Sequence, residues 1–149
     1  MNTDTAPDAP MDTATAFAAV ALAAVSWDGV LTMAGTRALR HALDYRPPFR
    51  ERSDAEMIAL MDRLLRALRS RGASGLMVDA ADVLDERQRH TAYAVAAEIM
   101  RSDGPLQEAE RQILASLAEH LRLDAAETTK VAEVMDVLPA SIVEPAVPA

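Results

Sequence analysis

The chain has no cysteine. Disulfides, thiolate metal sites and a thiol nucleophile are therefore excluded. Aromatic residues make up 3% of the 149 positions, so alanine and the aliphatic side chains must fill the core, a mixture with high helix propensity apart from its β-branched members. The three histidines, His41, His90 and His120, are far apart, and no pair has the spacing of two zinc ligands on one helix. The longest uncharged apolar run, roughly Ala14 to Val25, is too short to span a membrane. A signal peptide needs a basic start, and Asp4, Asp8 and Asp12 have the wrong sign; the sequence reads as cytoplasmic. No phosphate-cradling glycine loop, nucleotide fingerprint or nucleophile elbow occurs.

What is present is a half-apolar chain with a net charge of −8, long enough for one domain with one core. The charge is uneven. Residues 1–36 hold four acids and no base, 37–71 hold nine arginines and five acids, and 72–149 hold six bases and fourteen acids. An acidic, aromatic-poor chain is a poor nucleic-acid binder. The basic middle could meet an anionic partner.

Residues 1–12 and the proline-bearing 139–149 read as flexible tails around one helical domain over 13–138. Within it, Ala14 to Trp27 is apolar nearly all round, a helix buried on most faces, stopped by Asp28-Gly29. Thr32 is the N-cap of a helix over 33–45, ended by Pro47-Pro48. Ser53-Asp-Ala-Glu56 is a capping box opening a helix to about Ser70, followed by a loop over 71–75 and a short helix over 76–84. Further helices are expected over 86–101, 107–121 and from the box Asp124-Ala-Ala-Glu127 to Val137. No segment alternates with period two. The fold class is all-α, a single-domain bundle of about seven helices.

A shift of 75 residues superposes Ala19-Val-Ala21 on Ala94-Val-Ala96, and Asp28-Gly-x-Leu31 on Asp103-Gly-x-Leu106. Each stretch is an apolar helix, an Asp-Gly turn and a second helix, followed by a capped third. The copies cover about 14–70 and 85–137, and the first carries about four extra loop residues at Pro47-Pro48-Phe49-Arg50. Two units, each with an incompletely buried face, are expected to bury those faces against each other as a pseudo-symmetric bundle.

The second turn, Asp103-Gly-Pro-Leu-Gln-Glu-Ala-Glu110, carries the acids that matter most. Glu108 and Glu110 fall in the first turn of a helix, where its positive end favours carboxylates. Glu110 stands three residues before Ile113 and four before Leu114, hence on the core-facing side, and a carboxylate there needs a partner. Backbone amides could supply one, making the acids caps. A divalent cation shared with Asp103 could also do so; Ca, Mg, Mn and Zn are not distinguishable, and the spacing is not that of an EF-hand. The first copy offers Asp28, but Gly35 stands where the second has Glu110. A metal-dependent hydrolase using Asp28, Asp103 and Glu110 would further require an enclosed pocket with an open coordination position.

Residues 96–114, Ala-Ala-Glu-Ile-Met-Arg-Ser-Asp-Gly-Pro-Leu-Gln-Glu-Ala-Glu-Arg-Gln-Ile-Leu, resemble the signature of TerB-like proteins, the tellurite-resistance family, and the following Leu-Ala-Glu-His-Leu-Arg-Leu-Asp124 continues the likeness. It covers about 14–138. The resemblance implies an all-helical pseudo-repeat fold, a role in tellurite or general stress response, and metal binding through Asp103 and Glu110, with Asp28 matching half of the motif and Gly35 departing from it. The implied activity is non-enzymatic, that of a protein-interaction module with a protein partner; a homodimer is a separate alternative.

Three further features draw attention. Arg63, Arg66 and Arg69 recur every third residue on one helix, either a solvated face or a patch for an acidic protein, a phosphorylated ligand or the surface of an anionic membrane. Glu98 interrupts an apolar helix and shares a stripe with Thr91, Ala94 and Arg101, expected to face solvent. Trp27 is expected to plug the core between the two copies.

Overall fold

The computed structural model describes residues 11–27, 29–101 and 106–138, and the expected tails fall almost wholly outside them. Among the described residues the chain is all-helical, with six α-helices and one 3-10 turn: α1 (Thr13–Val25), α2 (Met33–Asp44), the 3-10 turn (Phe49–Glu51), α3 (Asp54–Val83), α4 (Glu86–Met100), α5 (Glu108–His120) and α6 (Ala125–Val137). No helix among the described residues is long and apolar enough to cross a membrane.

Helix α1 is the axis of the bundle. Every residue from Thr15 to Ala24 is buried, as its all-round apolar sequence predicts. It packs against α3 and α4, and along shorter stretches against α2 and α5. Alanines on both sides of the contact, Ala18, Ala19 and Ala23 on α1 and Ala96 and Ala97 on α4, are fully buried, and small side chains let helix axes approach closely.

The helix starts are fixed by side chains that accept the orphan amides. Thr32 accepts from the Gly35 amide, Ser53 from Glu56, and Asp124 from Glu127. Asp12, assigned by sequence to the N-terminal tail, is the N-cap of α1, accepting from the Thr15 amide at 2.8 Å. Hydrogen bonding from the Thr15 side chain and amide holds the Asp12 carboxyl below its ordinary range. Its folded-state pKa is depressed, so the stability it contributes is present above the unfolded-state pKa and is lost as pH falls through the folded one. Asp85 and Gln88 form a capping box for α4 that sequence reading did not single out.

Two expectations are corrected. The loop over 71–75 is a single-residue break. Gly72 alone leaves helical geometry inside α3, with φ 72° and ψ 170°, a combination open to glycine but hardly to other residues. Arg71 and Asp79 bracket the break with a two-point ion pair, at 2.9 and 3.0 Å. A Cβ at position 72 would meet nothing within 4 Å, so the cost of Gly72→Ala comes from the backbone alone. It is expected to destabilise by about 1–3 kcal/mol in urea unfolding.

The second correction concerns the stripe around Glu98. Glu98 is exposed, but Thr91 and Ala94 are half-buried and Arg101 is buried. The cause is α6, which packs on α4 and covers the C-terminal end of the stripe. The Arg101 guanidinium donates to the Asp136 carboxylate and to the Ala132 carbonyl, both on α6.

The loop residues Pro47-Pro48-Phe49-Arg50 also have a structural role. Phe49 is buried with its ring 6.3 Å from that of Phe17, and the guanidinium groups of Arg46 and Arg52 lie over Phe17 and Phe49 at 5.4 and 5.5 Å. The loop closes the end of the core where α1 begins.

Candidate functional site

The ends of α1 and α4 and the starts of α2 and α5 surround a cavity of about 200 Å³. Its walls include Ala24, Val25 and Trp27 from the end of α1, and Thr32, Gly35 and Ala38 from the start of α2. Ile99 and Met100 from α4, with Glu110 and Ile113 from α5, complete them. Four pairs of these residues are separated by 75 positions: Ala24 and Ile99, Val25 and Met100, Gly35 and Glu110, Ala38 and Ile113. This is the offset at which the two Asp-Gly turns superpose in sequence. Both segments that lead into those turns therefore border one space.

Glu110 is half-buried at the edge of this cavity. Its Oε1 accepts from the Gln107 amide at 2.9 Å. The core-facing carboxylate thus has the backbone partner that one reading of the sequence required. Opposite it, Thr32 Oγ1 accepts from the Gly35 amide at 2.9 Å. Gly35 contributes only backbone to the wall, and there is little room beside it for a side chain. A Cβ there would stand 3.2 Å from Thr32 Oγ1 and 3.6 Å from Val25 Cβ.

Asp28 and Asp103 lie outside the described residues. Among the described residues no group of three His, Asp or Glu side chains is placed to hold a metal ion. Glu110 is accordingly the one member of the sequence-derived acidic set whose surroundings are defined. Removing its cap is expected to cost about 1 kcal/mol in Glu110→Ala, while Glu110→Gln, which retains an accepting oxygen, is expected to stay close to the wild type in urea unfolding.

Trp27 is half-buried, and its indole meets His120 edge-on at 5.2 Å and 78°. His120 Nδ1 lies 2.7 Å from the Ser116 carbonyl oxygen. The indole therefore ties the end of α1 to the end of α5, besides lining the cavity.

The arginine series does not form one uniform face. Arg66 and Arg69 are exposed, whereas Arg63 is half-buried and, with Arg52, lowers the Asp12 carboxyl pKa at the start of α1. Residues three apart on a helix are displaced by about 60° around its axis, so the series winds from the bundle edge into solvent.

Sequence reasoning places Arg101 on a solvent-facing stripe, and the structure buries it. Its side chain is 6% exposed, and the covalent pattern offered one signal, a cation at the end of an apolar helix with an acidic helix still to follow. A second space, of about 410 Å³, lies beside it between α4, α5 and α6, with Tyr93, Leu114 and Thr128 in its walls. Burial pushes the Tyr93 phenol up, with Arg101 opposing.

In comparisons with known proteins, no family model matches the chain, and neither a curated protein nor a solved structure matches it.

Proposed function

We propose that the chain is a non-enzymatic TerB-like interaction module made of two pseudo-symmetric helix, Asp-Gly turn, helix repeats. In this reading the turns meet at one end of the bundle, and a divalent cation held by Asp103 and Glu110, with Asp28 beside them, sets the shape of a surface that a protein partner reads. The role is in tellurite or general stress response, as the sequence resemblance implies. In this reading the two arms of α3 on either side of Gly72 count as separate helices, which makes seven for the two repeats and their connection.

The observation that carries this reading is the pairing of the cavity walls at an offset of 75 residues. It supports a common end for both turns. Glu110 brings a carboxylate to the edge of that cavity, on the side of the second copy. Carboxylate oxygens suit hard divalent cations such as Ca²⁺ and Mg²⁺.

One observation favours a second reading, a helical adaptor in which the acids only cap. Glu110 Oε1 is already engaged by the Gln107 amide. Calorimetric titration with Ca²⁺, Mg²⁺, Mn²⁺ and Zn²⁺ separates the two. The lead reading expects one ion per chain for one of these metals and a loss of binding in Asp103→Asn. Absence of binding heat for all four, at several temperatures, leaves the adaptor.

A further inference from the structure

The outer side of α2 is built for a second occupant. Met33, Arg37, His41 and Tyr45 recur every fourth residue, and so do Ala34, Ala38 and Ala42 beside them; residues four apart on a helix share a face. The alanine row lines a groove of about 370 Å³, together with Ile99 and Glu98 of α4. Arg37 and His41 line it from the α2 side and Glu98 from the α4 side. The groove is therefore apolar and small-residued along its length, basic on one helix and acidic on the other.

Met33 and Tyr45, at the two ends of the row, are 79% and 72% exposed. They carry the same face to both ends of α2. Among the described residues neither Arg37 nor Glu98 has an ion-pair partner. Both charges remain available to a docked molecule.

We infer that this face is the interface of a twofold homodimer. The charge pattern selects that occupant. A partner helix of one sign would match one rim and oppose the other. In a twofold contact residue i meets j and j meets i, so Arg37 of each copy meets Glu98 of the other, and both rims are satisfied at once. The alanine row lets the two α2 helices approach to the short end of ordinary interaxial distances. An antiparallel crossing at mid-length of the outer face of α2 brings Met33 of one copy toward Tyr45 of the other. The interface goes beyond the TerB-like reading and requires no cation at the Asp-Gly turns.

Sedimentation equilibrium up to about 0.1 mM tests this on the full chain in EDTA, with circular dichroism confirming that each variant is folded. The wild type is expected to dimerise. Arg37→Glu and Glu98→Arg are each expected to raise the dissociation constant at least about tenfold by placing like charges together, and the double reversal Arg37→Glu/Glu98→Arg to restore it to within about threefold. A monomer at every concentration would overturn the proposal and leave the groove to a different protein. A dimer indifferent to both single reversals, or one that forms only when divalent cations replace EDTA, would overturn it too by placing the association elsewhere.

Discussion

Leu22→Ala is expected to lower the free energy of unfolding by about 2–5 kcal/mol, toward the upper end of that range. Leu22 is fully buried in the C-terminal half of α1, the helix that packs against α2, α3, α4 and α5. The cost of a large-to-small change has two parts, the lost transfer free energy of the removed carbons and the cavity that the surroundings fail to close. Collapse is difficult here. The neighbours on α1 are mainly alanines, with no rotamers to swing into the space, and α1 is held from several sides. A domain of this size has a total stability of about 5–15 kcal/mol, so this single change removes a large share of it. Urea unfolding measures it. Ile58→Ala, at a residue that is 56% exposed, is the control and is expected to shift stability by less than about 0.5 kcal/mol.

Asp136→Ala is expected to destabilise by about 1–3 kcal/mol, while Arg101→Met costs distinctly less. The Arg101 side chain is 6% exposed and that of Asp136 is 47% exposed. Removing the carboxylate leaves a buried guanidinium with only the Ala132 carbonyl, at 3.5 Å, and among the described residues its Nε already has no partner. A fully buried pair broken in this way costs about 3–5 kcal/mol; the exposure of Asp136 reduces the expected figure through solvent screening. Arg101→Met instead removes the charge that needed solvation and keeps the unbranched, apolar stem. A double-mutant cycle gives both numbers. Hydrogen exchange locates the effect, which should appear first in α6, since that helix fully buries only Thr128.

These two positions show why the sequence was legible in one place and opaque in another. Helix α1 and its burial could be read because an unbroken apolar run allows few alternatives, and the caps Thr32, Ser53 and Asp124 because short polar side chains before an apolar run have a local cause. Local rules also placed the break near Gly72, but not its length. A glycine marks where the chain may leave helical geometry, whereas whether Ala73 to Gly75 resume the helix depends on what they pack against. Arg101 was misread because periodicity within α4 says nothing about α6 lying over it. The arginines at 63, 66 and 69 were read as one face because a spacing of three looks regular, yet the helix turns under it.

For the candidate site, the core-facing position of Glu110 followed from its spacing to Ile113 and Leu114, and the structure puts its carboxylate at the edge of a cavity. That the segments leading into the two Asp-Gly turns border the same cavity could not be read from either stretch alone, because it depends on how they pack.

The central claim, a cation held at the turn of the second repeat, is tested most directly by thermal unfolding. Wild type and Asp103→Asn/Glu110→Gln are melted in EDTA and in millimolar Ca²⁺, Mg²⁺, Mn²⁺ or Zn²⁺. Specific binding at about a hundred times the dissociation constant stabilises by about 2.7 kcal/mol. The account expects one cation to raise the midpoint of the wild type and to leave the double variant where EDTA leaves it. Midpoints that no cation moves, with a variant only slightly less stable than the wild type, would contradict it and reduce Asp103 and Glu110 to caps.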